Sequence, residues 1–264
     1  MIKYFVVSDV HSFYLDMLDA LHIKGFEDSN SKHKVIMCGD AFDRGAESVN
    51  LFNWMKNMSK QGRLIYIRGN HEDLMFDLIN EYNSITNISS HHISNGTVKT
   101  LADLTGCTSF DILYKFANKE KIEKTSKELL EFINTYSQDY FILDKTVFIH
   151  GWVPTTSDDN GYMIVHKNWR DGGWAQARWE NGMEMHHFGV FPEDMNTVVC
   201  GHWHTSVGWH NYEHKGSEFE DDAIFDPYIK TINDKTIVAI DACTAYTRQV
   251  NCIVFDEYGK IINK

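Results

Sequence analysis

Gly39-Asp40-Ala41-Phe42-Asp43-Arg44-Gly45 and, further along, Arg68-Gly69-Asn70-His71-Glu72 are the stretches on which the reading of this chain turns. Each follows an apolar, β-prone run, Lys34–Cys38 and Arg63–Ile67, and so hangs from the end of an expected strand. Both crowd carboxylate, amide and imidazole side chains next to glycine, which lets the backbone turn sharply around a small ion. The arrangement recurs. Asp9 and His11 follow the run Lys3–Val7, His150 ends Thr146–His150, and Gly201-His202-Trp203-His204 follows Thr197–Cys200. Five expected strand ends thus deliver side chains suited to a pair of metal ions.

Helical patterns separate the first strands. Phe13–Lys24 places Leu15, Leu18 and Leu21 on one stripe and stops at Gly25. Glu47–Lys60 (Val49, Phe52, Met55) stops near Gly62, and Glu72–Tyr82 is a third helix. Strand and helix alternate, which predicts parallel βαβ units with ligands at the carboxyl ends of the strands. Between residues 83 and 138, Asn/Ser-rich loops and a helix at Lys121–Tyr136 predict a helical insertion or cap within a single domain over residues 1–264. Short strands then dominate: Tyr140–Leu143, Thr146–Ile149, Thr197–Cys200, Thr236–Ile240 and Asn251–Phe255, with Asp144-Lys145 as a hairpin turn. Strands in both halves with helices between them predict two packed sheets covered by helices, an α/β fold.

Composition bounds the function. The chain has 264 residues, 43% of them apolar, enough for a large core, and only 3 prolines, so no linker marks a domain boundary. The apolar run at the N-terminus is too short for a signal peptide, and no stretch reaches the roughly 20 apolar residues of a membrane span. The 5 cysteines are unclustered and lie mostly in apolar runs, which predicts buried thiols and a soluble protein of a reducing cytoplasm. A net charge of −12 disfavours nucleic acid as a partner, and no membrane partner is expected. A small phosphate ester is not excluded, because metal ions and a few arginines can attract it locally.

The chemistry of the motifs follows from their donors. Asp9, His11 and His204 are suited to one metal and Asn70, His150 and His202 to the other, with the Asp40 carboxylate shared. Mixed imidazole, carboxylate and amide donors suit manganese, iron or zinc rather than calcium or magnesium. Paired ions lower the pKa of a water held between them and neutralise phosphoryl oxygens. His71 is expected to turn away from Asn70 in an extended turn and to act as a general acid. Asp43 would accept its other ring N–H, and Arg44 would clamp phosphate bidentately.

Taken together, Asp9-Val10-His11, Gly39-Asp40-Ala41-Phe42-Asp43-Arg44-Gly45, Arg68-Gly69-Asn70-His71-Glu72, His150-Gly151 and Gly201-His202 resemble the motifs of the calcineurin-like metallophosphoesterases. Asp43-Arg44-Gly45 and Arg68 resemble more narrowly the phosphoprotein (serine/threonine) phosphatase branch, including its bacterial and phage members, as does the closing stretch Ile237–Thr244. The resemblance implies a four-layer α/β/β/α sandwich of two mixed sheets flanked by helices, with a dinuclear site at strand ends. It implies two divalent transition-metal ions, manganese first and iron or zinc otherwise. It also implies a second phosphate-binding arginine between His150 and His202, for which Arg178 is favoured over Arg170. His204 departs from the eukaryotic protein phosphatases, which usually lack a second histidine there, but matches the wider superfamily.

The expected substrate is a phosphorylated protein or small phosphate ester, with phosphoserine or phosphothreonine first. Dinucleoside polyphosphates or nucleotides are the alternative. Six of the 7 tryptophans follow residue 150, either as packing or as an aromatic-walled groove able to stack a nucleobase. A catalytically dead scaffold is disfavoured, since every ligand and the His71–Asp43 pair are intact.

Overall fold

The computed structural model describes residues 1–84 and 87–263. The chain opens with β1 (Lys3–Val7), α1 (Tyr14–Ile23), β2 (His33–Cys38), α2 (Ser48–Lys60), β3 (Leu64–Ile67) and α3 (Asn70–Asn83). Helices α4 (His91–Ser94), α5 (Thr97–Thr105), α6 (Ser109–Leu113) and α7 (Lys119–Tyr136) follow. Next come β4 (Ser137–Gln138), β5 (Phe141–Leu143), β6 (Thr146–Phe148), β7 (Thr155–Ser157) and β8 (Met163–Val165). After them lie α8 (Trp174–Ala177), α9 (Gly182–His187), β9 (Thr197–Cys200) and α10 (Thr205–Glu213). The last elements are β10 (Tyr228–Ile232), β11 (Lys235–Ala239), α11 (Thr244–Thr247), β12 (Ile253–Asp256) and β13 (Ile261–Asn263).

These strands form two mixed sheets. One has the order β13-β12-β1-β2-β3-β4, in which β1 through β4 run parallel and β12 and β13 are antiparallel additions. The other has the order β10-β11-β9-β6-β5, with a parallel centre and antiparallel edges. Strands β7 and β8 pair as a separate ribbon.

Period-2 alternation explains how the sheets stack. Along β1, Tyr4 and Val6 face Phe148, Val199 and Val238 of the other sheet, and this shared layer is the central core. Phe5 and Val7 point the opposite way, into a cluster with Met17, Leu51, Met55, Leu78, Leu101 and Phe132 from the flanking helices. On the far side, Val147, Val198 and Ile237 pack against Trp174, Met183 and Val207 of α8, α9 and α10. The result is helices, sheet, sheet, helices: the four-layer α/β/β/α sandwich.

Two local expectations change. Helix α3 starts at Asn70 rather than Glu72, so Asn70 and His71 belong to its first turn and not to an extended turn. Glu72 is the cause, because its carboxylate reaches back to the Gly69 N–H (2.7 Å) and satisfies a donor that the helix start leaves unpaired. Strand β6 stops at Phe148, two residues before His150. The expected turn at Asp144 joins β5 to β6, with Asp144 in the left-handed region (φ 51°). Among the described residues no helix is long and apolar enough to cross a membrane.

Candidate active site

The loops after β1, β2, β3, β6 and β9 meet at one edge of the sandwich, and Asp40 lies at their centre. His11 Nε2 stands 3.9 Å from Asp40 Oδ2, His71 Nε2 3.8 Å from the same oxygen, and His150 Nε2 3.3 Å from Oδ1. One ligand atom each from His11, Asp40 and His71, and again from Asp40, His150 and His202, fall within 4.8 Å of one another. Asn70 Oδ1 adds a contact of 2.8 Å to His150 Nε2. The Asp9 carboxylate accepts the His202 N–H (3.0 Å) and the Ser8 hydroxyl.

The backbone is bent to bring these groups together. Asp9, His11, Asp40, Asp43, Arg44 and His202 all have positive φ, between 49° and 78°. Such conformations cost energy in non-glycine residues and persist where the surroundings enforce them. Gly39, at φ 83°, is needed for closeness as well, since a Cβ there would fall 2.3 Å from His150 Nδ1. Glu72 ties the two loops together: its buried carboxylate accepts from the backbone N–H of Asp40 (3.0 Å), Ala41 (2.9 Å) and Gly69 (2.7 Å).

The donor set fits metal ions on two observations. Three histidines each give one ring N–H to a main-chain carbonyl: His11 Nδ1 to Phe42 (2.9 Å), His150 Nδ1 to Cys38 (2.8 Å) and His202 Nε2 to Trp179 (3.1 Å). That fixes the tautomer and leaves the other nitrogen as a lone-pair donor, as in histidine ligands of metals. Secondly, Asp9, Asp40 and Asp241 are buried within electrostatic reach of one another. Burial, aided by Asp40, pushes Asp9 up to about 6, and burial with Asp9 pushes Asp241 well above its usual range. For Asp40, burial is outweighed by His150, His71 and His11, which hold its carboxyl well below the usual value. Burial likewise opposes protonation of His150, yet Asp40 carries it up to about 10, so an ion held at its Nε2 would take the place of a proton there. Cations would balance this concentration of buried negative charge.

His71 is held between a carboxylate and a guanidinium. Its Nδ1–H donates to Asp43 Oδ2 (2.7 Å), and its Nε2 lies 3.4 Å from Arg44 Nη2. Burial lowers its basicity, but Asp40 and Asp43 outweigh that and raise its pKa. Asp43 in turn accepts the hydroxyls of Thr97 (2.9 Å) and Thr100 (2.8 Å), while its own N–H donates to Thr100 Oγ1 (3.0 Å). Helix α5, inside the segment expected as an insertion, therefore positions Asp43. Sequence reasoning missed Thr97, Thr100 and the role of Glu72. Only Glu72 left a signal, its place three residues after Gly69 at a helix start.

The remaining expected residues fall elsewhere. His204 is not among the groups gathered at Asp40. Its Nδ1 bonds Ser206 Oγ (2.7 Å), its Nε2 lies 3.8 Å from Glu218, and its ring packs on Phe219 at 4.6 Å. Arg178 is buried and paired through one nitrogen to Asp73 (2.6 Å) and through the other to Asp139. Arg170 pairs with Asp194 and stacks on Trp169, lining a separate groove with Met163 and Phe188. Arg44 is exposed and, unlike these two, makes no ion pair among the described residues. Of the late tryptophans, Trp152, Trp169 and Trp174 are core, whereas Trp179 and Trp203 are exposed and lie 5.7 and 6.2 Å from the His202 ring.

The family profile described as calcineurin-like phosphoesterase matches residues 2–206. No curated protein matches the chain at a significant level of sequence similarity. Among solved structures, the chain is similar to a cold-active protein-tyrosine phosphatase of a psychrophilic Shewanella species, at 15% identity and a TM-score of 0.53, covering 100% of this chain and 80% of that one. A candidate diadenosine tetraphosphatase matches at 15% identity and TM-score 0.48, over 99% and 92% of the two chains. A protein serine/threonine phosphatase from Saccharomyces cerevisiae matches at 18% identity and TM-score 0.42, over 76% and 61%.

Proposed function

The chain belongs to the calcineurin-like phosphoesterase family, and from that premise we propose a phosphatase of phosphomonoesters with phosphoserine and phosphothreonine in proteins as its substrate class. Membership makes it a phosphoester hydrolase that works with a dinuclear metal site. The observation that carries the finer reading is the His71–Asp43 pair beside Arg44, held against the Asp40 cluster.

Asp9, His11 and His204 would hold one ion and Asn70, His150 and His202 the other, with Asp40 between them; His204 joins only by turning from Ser206. Two divalent ions there, manganese first and iron or zinc otherwise, would supply an activated water and offset charge on the phosphoryl group. The chain's own residues do the rest. Arg44 binds two phosphate oxygens, and Arg178 adds a second clamp once it exchanges Asp73 and Asp139 for phosphate. His71 Nε2–H protonates the leaving oxygen, and Asp43 fixes the tautomer and steadies the imidazolium. The net charge of −12 and the five free cysteines support a non-nucleic-acid substrate and a cytoplasmic setting.

A second reading, cleavage of dinucleoside polyphosphates or nucleotides, is favoured by the exposed Trp179 and Trp203 beside His202. A manganese-loaded panel of phosphopeptides, diadenosine tetraphosphate, mononucleotides and bis-p-nitrophenyl phosphate separates the two. The expected result is highest kcat/KM on a phosphoserine or phosphothreonine peptide. Preferred cleavage of diadenosine tetraphosphate would replace the first reading by the second.

A further inference from the structure

A second group of ligating side chains converges away from Asp40. Glu81, near the end of α3, meets His91 and His92 of α4, and one ligand atom from each lies within 4.8 Å of the others. His92 Nε2 stands 3.7 Å from Glu81 Oε2, and the two imidazole rings are 4.0 Å apart. Glu81 is itself oriented: the Ser89 N–H donates to Oε2 and the Ser89 hydroxyl to Oε1, both at 2.7 Å.

His92 is the telling member. It is 0% exposed, yet neither of its ring nitrogens has a hydrogen-bond partner among the described residues. Buried polar groups are almost always paired, and an imidazole left wholly unmet needs a physical reason. Burial, reinforced by His91, lowers the ring's pKa from its ordinary value.

We propose that Glu81, His91 and His92 form a mononuclear site for zinc or a chemically similar divalent ion, distinct from the Asp40 centre. Two imidazoles and a carboxylate are a donor set such ions take, with water as the further ligand. The site has a route to the catalytic pair. Helix α4 leads into Gly96, at φ 88°, where a Cβ would fall 2.3 Å from the Arg44 backbone nitrogen. Thr97 and Thr100 follow, and both bond Asp43. An ion joining α4 to α3 therefore fixes the segment that orients Asp43 and Arg44.

The test is zinc content of the full chain after loading and gel filtration, compared with Glu81→Gln and His91→Ala. His91 is exposed, so its truncation leaves the core intact. Each variant is expected to retain one zinc ion fewer per chain than the native protein and to lose the part of the zinc-induced rise in Tm that this ion provides. Asp40→Asn, which alters only the other centre, is expected to keep this ion, seen as cobalt absorption bands that His91→Ala removes from the same background. Equal zinc content in the native protein and both variants, with the three equally folded by circular dichroism, overturns the site. That outcome would leave the reading of the Asp40 centre untouched.

Discussion

The His71 imidazole is held by two constraints of different origin: an ion-pairing hydrogen bond to Asp43 and a backbone N–H that donates to Asp40 Oδ1 (3.0 Å). Asp43 is fully buried and takes two threonine hydroxyls besides, so it has little freedom to leave the ring. If His71 protonates the leaving oxygen, His71→Asn should lose about 10²–10⁴-fold in turnover on phosphoserine, the usual range for a general acid. The loss on p-nitrophenyl phosphate should be much smaller, because that leaving group hardly needs a proton. Comparing the two substrates at unchanged metal content checks the role. Equal losses would make His71 a binder of phosphate instead. The ring's Nε2 also lies near Asp40, so loss of metal in the variant would reassign His71 as a ligand.

At the scale of elements, the start of α3 is tied to the other half of the sandwich by charge. Asp73 pairs with Arg68 (2.7 Å) on its own side and with Arg178 (2.6 Å), which follows α8 and also binds Asp139 ahead of β5. Arg178→Ala should destabilise the protein by about 1.5–3 kcal/mol, the range for hydrogen bonds to charged groups. The cost stays below that of a fully buried pair, since Asp73 and Asp139 are 26% and 40% exposed and regain water. Arg170→Ala removes one exposed pair and should cost about 0–1 kcal/mol. Urea midpoints of both variants provide the comparison. Elements of this kind were legible in the sequence where a local pattern marks them. The strands carrying Asp9, Asp40, Asn70, His150 and His202 are short apolar runs ending in polar motifs, and the structure has β1, β2, β3, β6 and β9 there. The two-residue β4 and the ribbon β7–β8 have too little pattern to be read. The Thr97 and Thr100 bonds to Asp43 cross 54 and 57 residues, and only tertiary structure reveals them. The same holds for Arg178, whose partners Asp73 and Asp139 lie 105 and 39 residues away.

For the molecule as a whole, the buried histidines outside the Asp40 centre set an acid limit on stability. His33 Nδ1 accepts the Glu27 N–H (3.1 Å), which requires a neutral ring, and burial lowers its pKa from 6.5. The unfolded chain therefore takes up this proton first as pH falls. His33 contributes its full share above about 6.5 and loses it as pH drops toward the lower folded value. Stability by urea denaturation should decline from pH 7.5 to 5.5, and His33→Asn should reduce that decline; an unchanged slope would remove His33 from the effect. The sandwich itself serves to bring loops from both sheets onto one carboxylate, so the fold and the chemistry meet at Asp40. The most direct measurement is phosphoserine-peptide turnover, with metal content, for the native chain before and after chelation and for Asp40→Asn. Turnover should vanish on chelation, return with manganese, and be absent from an Asp40→Asn protein that binds two ions fewer. Full turnover in the chelated chain, or native turnover and metal content in Asp40→Asn, would contradict the account.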